Sequence, residues 1–256
     1  MGTLANCWLR SKTTWFWSYH FRVESPILSD QYPNIWPAGP PADEAAELLR
    51  SQRRLARAMR LATRVDIGPR PEIDAGPVIH AANHRSLADL LLSAITFSSW
   101  GWPIRPLVAG SYFEKPVVAQ LLKSLRCIPV HGPEALDQAA EELAKGWSVA
   151  IMPEGRVVPE AEWAESGVGR AHSGIGRLAI HTRLPVVANG ASGTELLWPK
   201  GRPFLKIRPW HRQRLVLRSE VVGVIAEGRS REVTESIMAA IARCVNAADR
   251  ITGRIP

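Results

Sequence analysis

A histidine followed five residues later by an aspartate is the clearest reactive pair in this sequence. Around it the chain reads Val78-Ile79-His80-Ala81-Ala82-Asn83-His84-Arg85-Ser86-Leu87-Ala88-Asp89-Leu90-Leu91, an apolar run that enters a polar turn and leaves it as a second apolar run. Turns that close a strand and open a helix present reactive groups on a rigid support. Ser86 and Asp89 have the S-x-x-D spacing of a helix N-terminus whose acidic third position reaches back to the residues before the helix, and His84 sits there. A carboxylate in that place holds one imidazole nitrogen as a donor and leaves the other to accept a proton at neutral pH. The plainer reading is a helix cap beside a loop histidine bonded to backbone. As chemistry, a base and its orienter need only an oxyanion site to drive a hydroxyl onto an acyl group already activated as a thioester. The positive end of the helix lies close by.

A second turn supports the chemical reading. Val149-Ala150-Ile151-Met152-Pro153-Glu154-Gly155-Arg156 again ends an apolar run, now with a carboxylate, a flexible glycine and a guanidinium. Arg156 suits a phosphate or carboxylate through forked hydrogen bonds. Other chemistries lack their marks. Neither Ala171-His172-Ser173-Gly174 nor Gly190-Ala191-Ser192-Gly193 completes the G-x-S-x-G elbow of a serine hydrolase. His80 and His84 are four apart, but Ala81 stands where a zinc protease has glutamate and the segment reads as a strand end, so no metal site is expected and His80 is a strand residue supporting the turn. Gly167-Val168-Gly169 lacks the third glycine of a dinucleotide loop, and no phosphate-binding G-x-x-x-x-G-K-[ST] occurs.

With both turns in view, the chain resembles the glycerol-phosphate and lysophosphatidate acyltransferase superfamily. Asn83, His84 and Asp89 match its N-H-x-x-x-x-D block, and Pro153, Glu154 and Gly155 its P-E-G block, in the same order and separation. Ile128-Pro129-Val130 is similar to the second block and Leu184-Pro185-Val186-Val187 to the fourth, so the resemblance spans roughly residues 75–190. It implies a metal-independent α/β acyltransferase without a bound cofactor, taking acyl groups from coenzyme A or acyl carrier protein and passing them to a lysophospholipid such as 1-acylglycerol-3-phosphate. His84 is then the base and Asp89 its partner, with Glu154 and Gly155 helping to bind the acceptor. Asn83, Arg85 and Ser86 beside the base, and Arg156 and Arg126 as cations, complete the expected substrate-binding set.

Two departures bear on the acceptor. The second block usually ends in an arginine that helps bind the acceptor's phosphate, and His131-Gly132 stands here instead; Arg126, Arg156 and Arg170 are the candidates to compensate. The third block commonly reads P-E-G-T-R, and here Arg156 directly follows Gly155. An acceptor without phosphate (a glycolipid, a secondary-metabolite alcohol or an amine) therefore stands as the alternative, as does a lipid- or carrier-binding relative without turnover. Retention of His84 and Asp89 weighs against the last.

The elements that must hold these turns alternate. Short apolar runs predict strands near 77–82, 104–109, 127–130, 148–152 and 185–189, with helices near 86–98, 114–124, 133–146 and 171–183. Such alternation predicts a single α/β domain with a mixed, largely parallel sheet flanked by helices. A further β-rich stretch is expected over Phe204–Pro209 and Leu215–Leu217, and a final helix over Arg231–Arg250 with Val233, Ile237, Ile241 and Val245 on one side. Ahead of the sheet, residues 43–64 read as a basic amphipathic helix: Leu48, Leu55, Met59 and Ala62 form its stripe and six arginines its remaining surface. Residues 1–42 form an arm crowded with Trp8, Trp15, Phe16, Trp17, Tyr19 and Phe21 and broken by prolines. It is read either as a helix lying at a lipid interface or as an aromatic strap on the domain of residues 43–256.

Composition sets the wider limits. At 256 residues, nearly half of them apolar, the chain supports one core. The formal charge of +8 favours anionic partners, such as a thioester donor on coenzyme A or carrier protein, or an acidic membrane surface in peripheral contact. Zinc-finger spacing, a basic region joined to heptads and an RNA-binding signature are all missing, so nucleic acid is not an expected partner. Cys7, Cys127 and Cys244 form no C-x-x-C pair, which fits a reducing cytoplasm or the cytoplasmic face of a membrane. The longest candidate span, Leu87–Phe97, is too short to cross a bilayer, and no export signal is read at the N-terminus.

Overall fold

Runs such as Val78–Ala81, Ser148–Ile151 and Val186–Ala191 are apolar at nearly every position, the pattern of strands covered on both faces. In the computed structural model, which describes residues 36–255 apart from Ala75, Pro203 and Pro209, they form the centre of a seven-stranded sheet. The aromatic segment of the N-terminal arm lies outside the described residues. In chain order the elements are α1 (Ala42–Ala62), β1 (Thr63–Ile67), β2 (Ile79–Ala82), α2 (Asp89–Trp100), β3 (Ile104–Ala109), α3 (Pro116–Ser124), β4 (Ile128–Val130) and α4 (Ala135–Ala144). They continue as β5 (Ser148–Ile151), α5 (Glu160–Trp163), α6 (Gly174–Thr182), β6 (Pro185–Ser192), α7 (Thr194–Leu197), β7 (Gln213–Val224) and α8 (Ser230–Thr252).

The strand order is β1-β7-β6-β2-β5-β3-β4, and every neighbouring pair is parallel except β6 and β7. This is the mixed, mostly parallel α/β sheet that the alternation predicts. Alternate residues of the central strands feed two cores. Ile79, Val149, Ile151, Val186 and Ala188 pack against α4, α6 and α8, while Val78, Val187, Leu215 and Leu217 meet α1 and α2 on the other face. Val233, Ile237, Ile241 and Val245 of α8 are buried as their spacing predicts. On α1, Leu48, Ala56 and Met59 face inward, leaving the arginines outside. Among the described residues no helix is long and apolar enough to cross a membrane.

Three sequence expectations are corrected. The basic helix stops at Ala62, and Thr63–Ile67 becomes edge strand β1, because β-branched Thr63, Val65 and Ile67 favour the pleat and the Thr63 hydroxyl donates to the Met59 carbonyl at 2.8 Å. Phe204–Arg208 is irregular rather than β, lying between prolines that cannot supply ladder donors, and β7 instead runs from Gln213 to Val224. Finally, α2 opens at Asp89, with Ser86 left in the preceding turn.

The approach of α8 to β6 leaves no room for a side chain at Gly190, where a Cβ would lie 2.1 Å from the Val245 nitrogen and 2.3 Å from the Cys244 carbonyl carbon. Because both neighbours are backbone, Gly190→Ala is expected to lower the unfolding free energy by about 1–3 kcal/mol. The effect should appear as a lower urea midpoint at unchanged slope. An unshifted midpoint would contradict this packing.

Candidate active site

The adjacent parallel strands β2 and β5 release the chain at the same, C-terminal end of the sheet, and the two polar turns meet there. The Asn83 side chain prolongs the pairing of β2 with β6: its Nδ2 donates to the Ala191 carbonyl at 3.0 Å and its Oδ1 accepts from the Ala191 N–H at 2.8 Å. One residue on, His84 turns outward with 19% of its side chain exposed. Its Nδ1 lies 2.9 Å from Asp89 Oδ2. The same oxygen accepts the Ser86 N–H at 2.9 Å, the reach-back that S-x-x-D spacing predicts. With Nδ1 donating to the carboxylate, Nε2 is the nitrogen that carries the lone pair.

Glu154 ties the second turn to the first. Its Oε2 accepts the His84 backbone N–H at 2.5 Å and its Oε1 the Gly169 N–H at 2.6 Å, with the side chain buried. Burial pushes its pKa upward; the two N–H donors and His84 oppose the shift, and Asp89 adds to it. The His84 carbonyl is held as well, accepting from Val158 N at 2.8 Å. Below the turn, His80 is packed edge-on against Phe97 and Trp102, and burial lowers its pKa to about 3. It is therefore neutral near pH 7 and supports the strand end, as its position in the sequence suggests.

Several residues expected to touch substrate are engaged elsewhere. Arg85 is buried: Nη1 and Nη2 reach the two oxygens of Asp249 at 2.9 Å each, Nη2 also donates to the Gly167 carbonyl at 2.8 Å, and the guanidinium lies 3.8 Å over the Trp163 ring. Ser86 is buried, its hydroxyl donating to the Trp198 carbonyl at 2.7 Å. Asn83 and Glu154 have their polar atoms taken by backbone. Arg126 precedes β4 at the other end of the strands, where it pairs with Glu44 and Glu47 of α1. It therefore does not replace the arginine lacking after Val130. In that place the His131 ring covers Gly110, a Cβ on which would lie 1.8 Å from the ring.

Three candidates remain outward, exposed Arg170 among them. Gly155, exposed at φ +67°, makes the left-handed corner after β5, with the His172 ring where a Cβ would come to 3.2 Å. Arg156 is exposed and bridged to exposed Glu162 at 2.5 Å, a surface pair of small energy. Sequence reasoning did not single out the clamp of Asp249, Trp163, Glu195 and Arg254. Arg254 pairs with Glu195 at 2.5 Å and lies 5.2 Å over the face of Trp163. The available signal was Asp249 itself, a carboxylate four residues beyond Val245 on the apolar stripe of α8.

A family model described as Acyltransferase matches residues 62–191, just over half of the chain, and both polar turns fall inside it. Among solved structures the chain is similar to the crystal structure of the 1-acyl-sn-glycerophosphate (LPA) acyltransferase PlsC from Thermotoga maritima. The TM-score is 0.59 with 20% identity, over 82% of this chain and 81% of that one. That likeness shows a shared fold. No curated protein matches the sequence.

Both oxygens of Glu154 accept from backbone N–H groups, so an amide there sets a donor against a donor. Glu154→Gln is expected to reduce stability by about 1–3 kcal/mol. The exposed control Glu162→Gln should change it by less than about 0.5 kcal/mol. Equal urea midpoints for the two variants would show that Glu154 does not hold the turns together.

Proposed function

Because the chain belongs to the acyltransferase family, the glycerol-phosphate and lysophosphatidate superfamily, we propose that His84 is the general base of its O-acyl transfer. The observation that carries this reading is the 2.9 Å contact between His84 Nδ1 and Asp89 Oδ2 on an imidazole that still reaches solvent. In the proposed step, Nε2 takes the proton of the acceptor hydroxyl while its oxygen attacks the carbonyl carbon of an acyl thioester. The tetrahedral oxyanion then collapses, the C–S bond breaks, and the imidazolium returns the proton to the departing thiolate. Ester and free thiol are the products, and no enzyme nucleophile is needed. Asp89 keeps Nδ1 as the donor and stabilises the transient cation. The donor is an acyl-coenzyme A or acyl carrier protein, both anionic, in keeping with a formal charge of +8.

For the acceptor, the likeness to a 1-acyl-sn-glycerophosphate acyltransferase supports a lysophospholipid such as 1-acylglycerol-3-phosphate and a place in phospholipid biosynthesis. In this reading exposed Arg156 takes the phosphate after leaving its weak pair with Glu162. A glycolipid or a secondary-metabolite alcohol is the second reading. It is favoured by the engagement of Arg126 with α1 and by His131 standing where an arginine would serve a phosphate.

The test is turnover. His84→Ala, folded as judged by far-UV dichroism, is expected to lose about 10²–10⁴-fold in thioester consumption and product formation. Asp89→Asn should fall strongly as well. Labelled acyl-coenzyme A and acyl carrier protein offered with lysophospholipid, glycolipid and alcohol acceptors, with product mass as the readout, identify donor and acceptor. Undiminished transfer by His84→Ala rules the base assignment out. Arg156→Ala should raise KM for a phosphate acceptor and leave an alcohol acceptor unaffected.

A further inference from the structure

Between α7 and β7 the chain runs from Trp198 to Arg212 without helix or strand among its described residues. It turns three large apolar side chains to water: Phe204 is 79% exposed, Ile207 50% and Trp210 98%. Single exposed hydrophobics are ordinary, but three within seven residues, two of them aromatic, form a patch that forgoes burial. A core lies within reach, since Leu205 in the same stretch packs onto the cluster formed by α1, α2 and the sheet. The loop is thus anchored through one side chain while its neighbours point away.

The patch carries charge of one sign. Lys200, Arg202, Lys206, Arg208 and Arg212 are interleaved with the apolar residues, and no Asp or Glu occurs between Glu195 and Glu220. Among the described ion pairs none involves Lys200, Arg202, Lys206 or Arg208. Position adds a third observation. At its start the Trp198 carbonyl accepts from Ser86, two residues from His84, and Lys200 Nζ donates to the Val157 carbonyl at 3.1 Å, one residue from Arg156. At its end Arg212 donates to the Thr63 carbonyl at 2.7 Å and to the Arg60 carbonyl, beside exposed Leu61 at the close of α1. The loop therefore leaves from the rim of the candidate site and returns to the basic helix.

We propose that Trp198–Arg212 docks the protein on an anionic phospholipid bilayer, with Phe204, Ile207 and Trp210 entering the headgroup and acyl boundary while Arg202, Lys206 and Arg208 meet lipid phosphates. A bilayer presents an anionic layer with an apolar one beneath it, the arrangement these side chains require. An acidic protein would answer the cations but would have to supply separate pockets for a fully exposed tryptophan and a phenylalanine. Docked this way, the loop holds the site beside the interface in which a lipid acceptor presents its hydroxyl; this last clause rests on the acyl-transfer reading.

The experiment uses the full chain with vesicles of pure phosphatidylcholine and vesicles rich in phosphatidylglycerol, scored by co-sedimentation at low and high salt. The wild-type chain is expected to prefer the anionic vesicles. Phe204→Ser with Trp210→Ser should weaken vesicle binding about tenfold or more at both salts. Arg202→Glu with Arg208→Glu should remove the preference for phosphatidylglycerol. Both pairs should keep the wild-type thermal midpoint and the wild-type rate on a short-chain acceptor dissolved in buffer, and should slow on an acceptor embedded in vesicles. Wild-type vesicle affinity in both pairs overturns the proposal and moves attachment elsewhere in the chain. Undiminished vesicle binding together with lost capture of an acidic carrier protein also overturns it. A wild-type chain that transfers acyl groups but ignores vesicles sinks the docking loop alone. One that binds vesicles through these residues and transfers nothing sinks the acyl-transfer reading alone.

Discussion

One carboxylate oxygen fixes the geometry on which the site depends. Asp89 Oδ2 accepts from the Ser86 N–H and meets His84 Nδ1, each at 2.9 Å. The first bond locks the carboxylate to the turn, and the second transmits that fixed position to the imidazole. Because Asp89 is the first residue of α2, the helix N-terminus favours negative charge where the imidazole needs its partner. In the proposed reaction, an imidazole turning freely on a loop would have to be ordered in every cycle. Here the ordering is done by folding.

A second layer holds the backbone of the same turn from both sides. Glu154 takes the His84 N–H and Val158 donates to the His84 carbonyl, so the peptide groups flanking the imidazole are bound to the turn after β5. Arg85 goes the opposite way, into Asp249 of α8, whose Oδ1 also accepts from Ser192 at 2.5 Å. Trp163 lies between the guanidiniums of Arg85 and Arg254. Buried ion pairs contribute little net stability, because desolvation offsets most of their attraction. What this one supplies is an anchor: both forks of Arg85 tie the turn to α8. Glu195 follows the same logic, since burial pushes its pKa upward and the adjacent Arg254 opposes the shift.

The fold was legible because its signals are local. The strands that become β2 to β6 are written as apolar runs, and α8 as a stripe at helical spacing. The His84–Asp89 pair was legible for the same reason, being a contact over five residues set by cap geometry. What could not be read is burial decided at long range. Arg85 and Asp249 are 164 residues apart, Asn83 and Ala191 108, and His84 and Glu154 70. Side-chain chemistry alone suggested that a polar residue beside His84 faces substrate, whereas folding gave Asn83, Arg85, Ser86 and Glu154 partners inside the protein. The missed edge strand has a different cause. Arg64 continued the run of arginines on α1, and charge obscured the β-branched alternation of Thr63, Val65 and Ile67.

A turn built this way separates chemistry from recognition. Among Asn83, His84, Arg85, Ser86 and Asp89, the His84 side chain alone is more than marginally exposed. The rest are buried and, Asp89 Oδ1 apart, have their polar atoms committed to internal partners, so this frame has little capacity to read an acceptor. In the acyl-transfer reading, discrimination between acceptors falls to outward groups on the rim, such as Arg156 and His172 beside Gly155. Those residues stand on loops, where a substitution alters what is presented without disturbing the hydrogen bonds that aim the imidazole. Under the proposed reaction, one imidazole could therefore serve different hydroxyls on one scaffold, the choice falling to side chains that the turn from Asn83 to Asp89 does not contain.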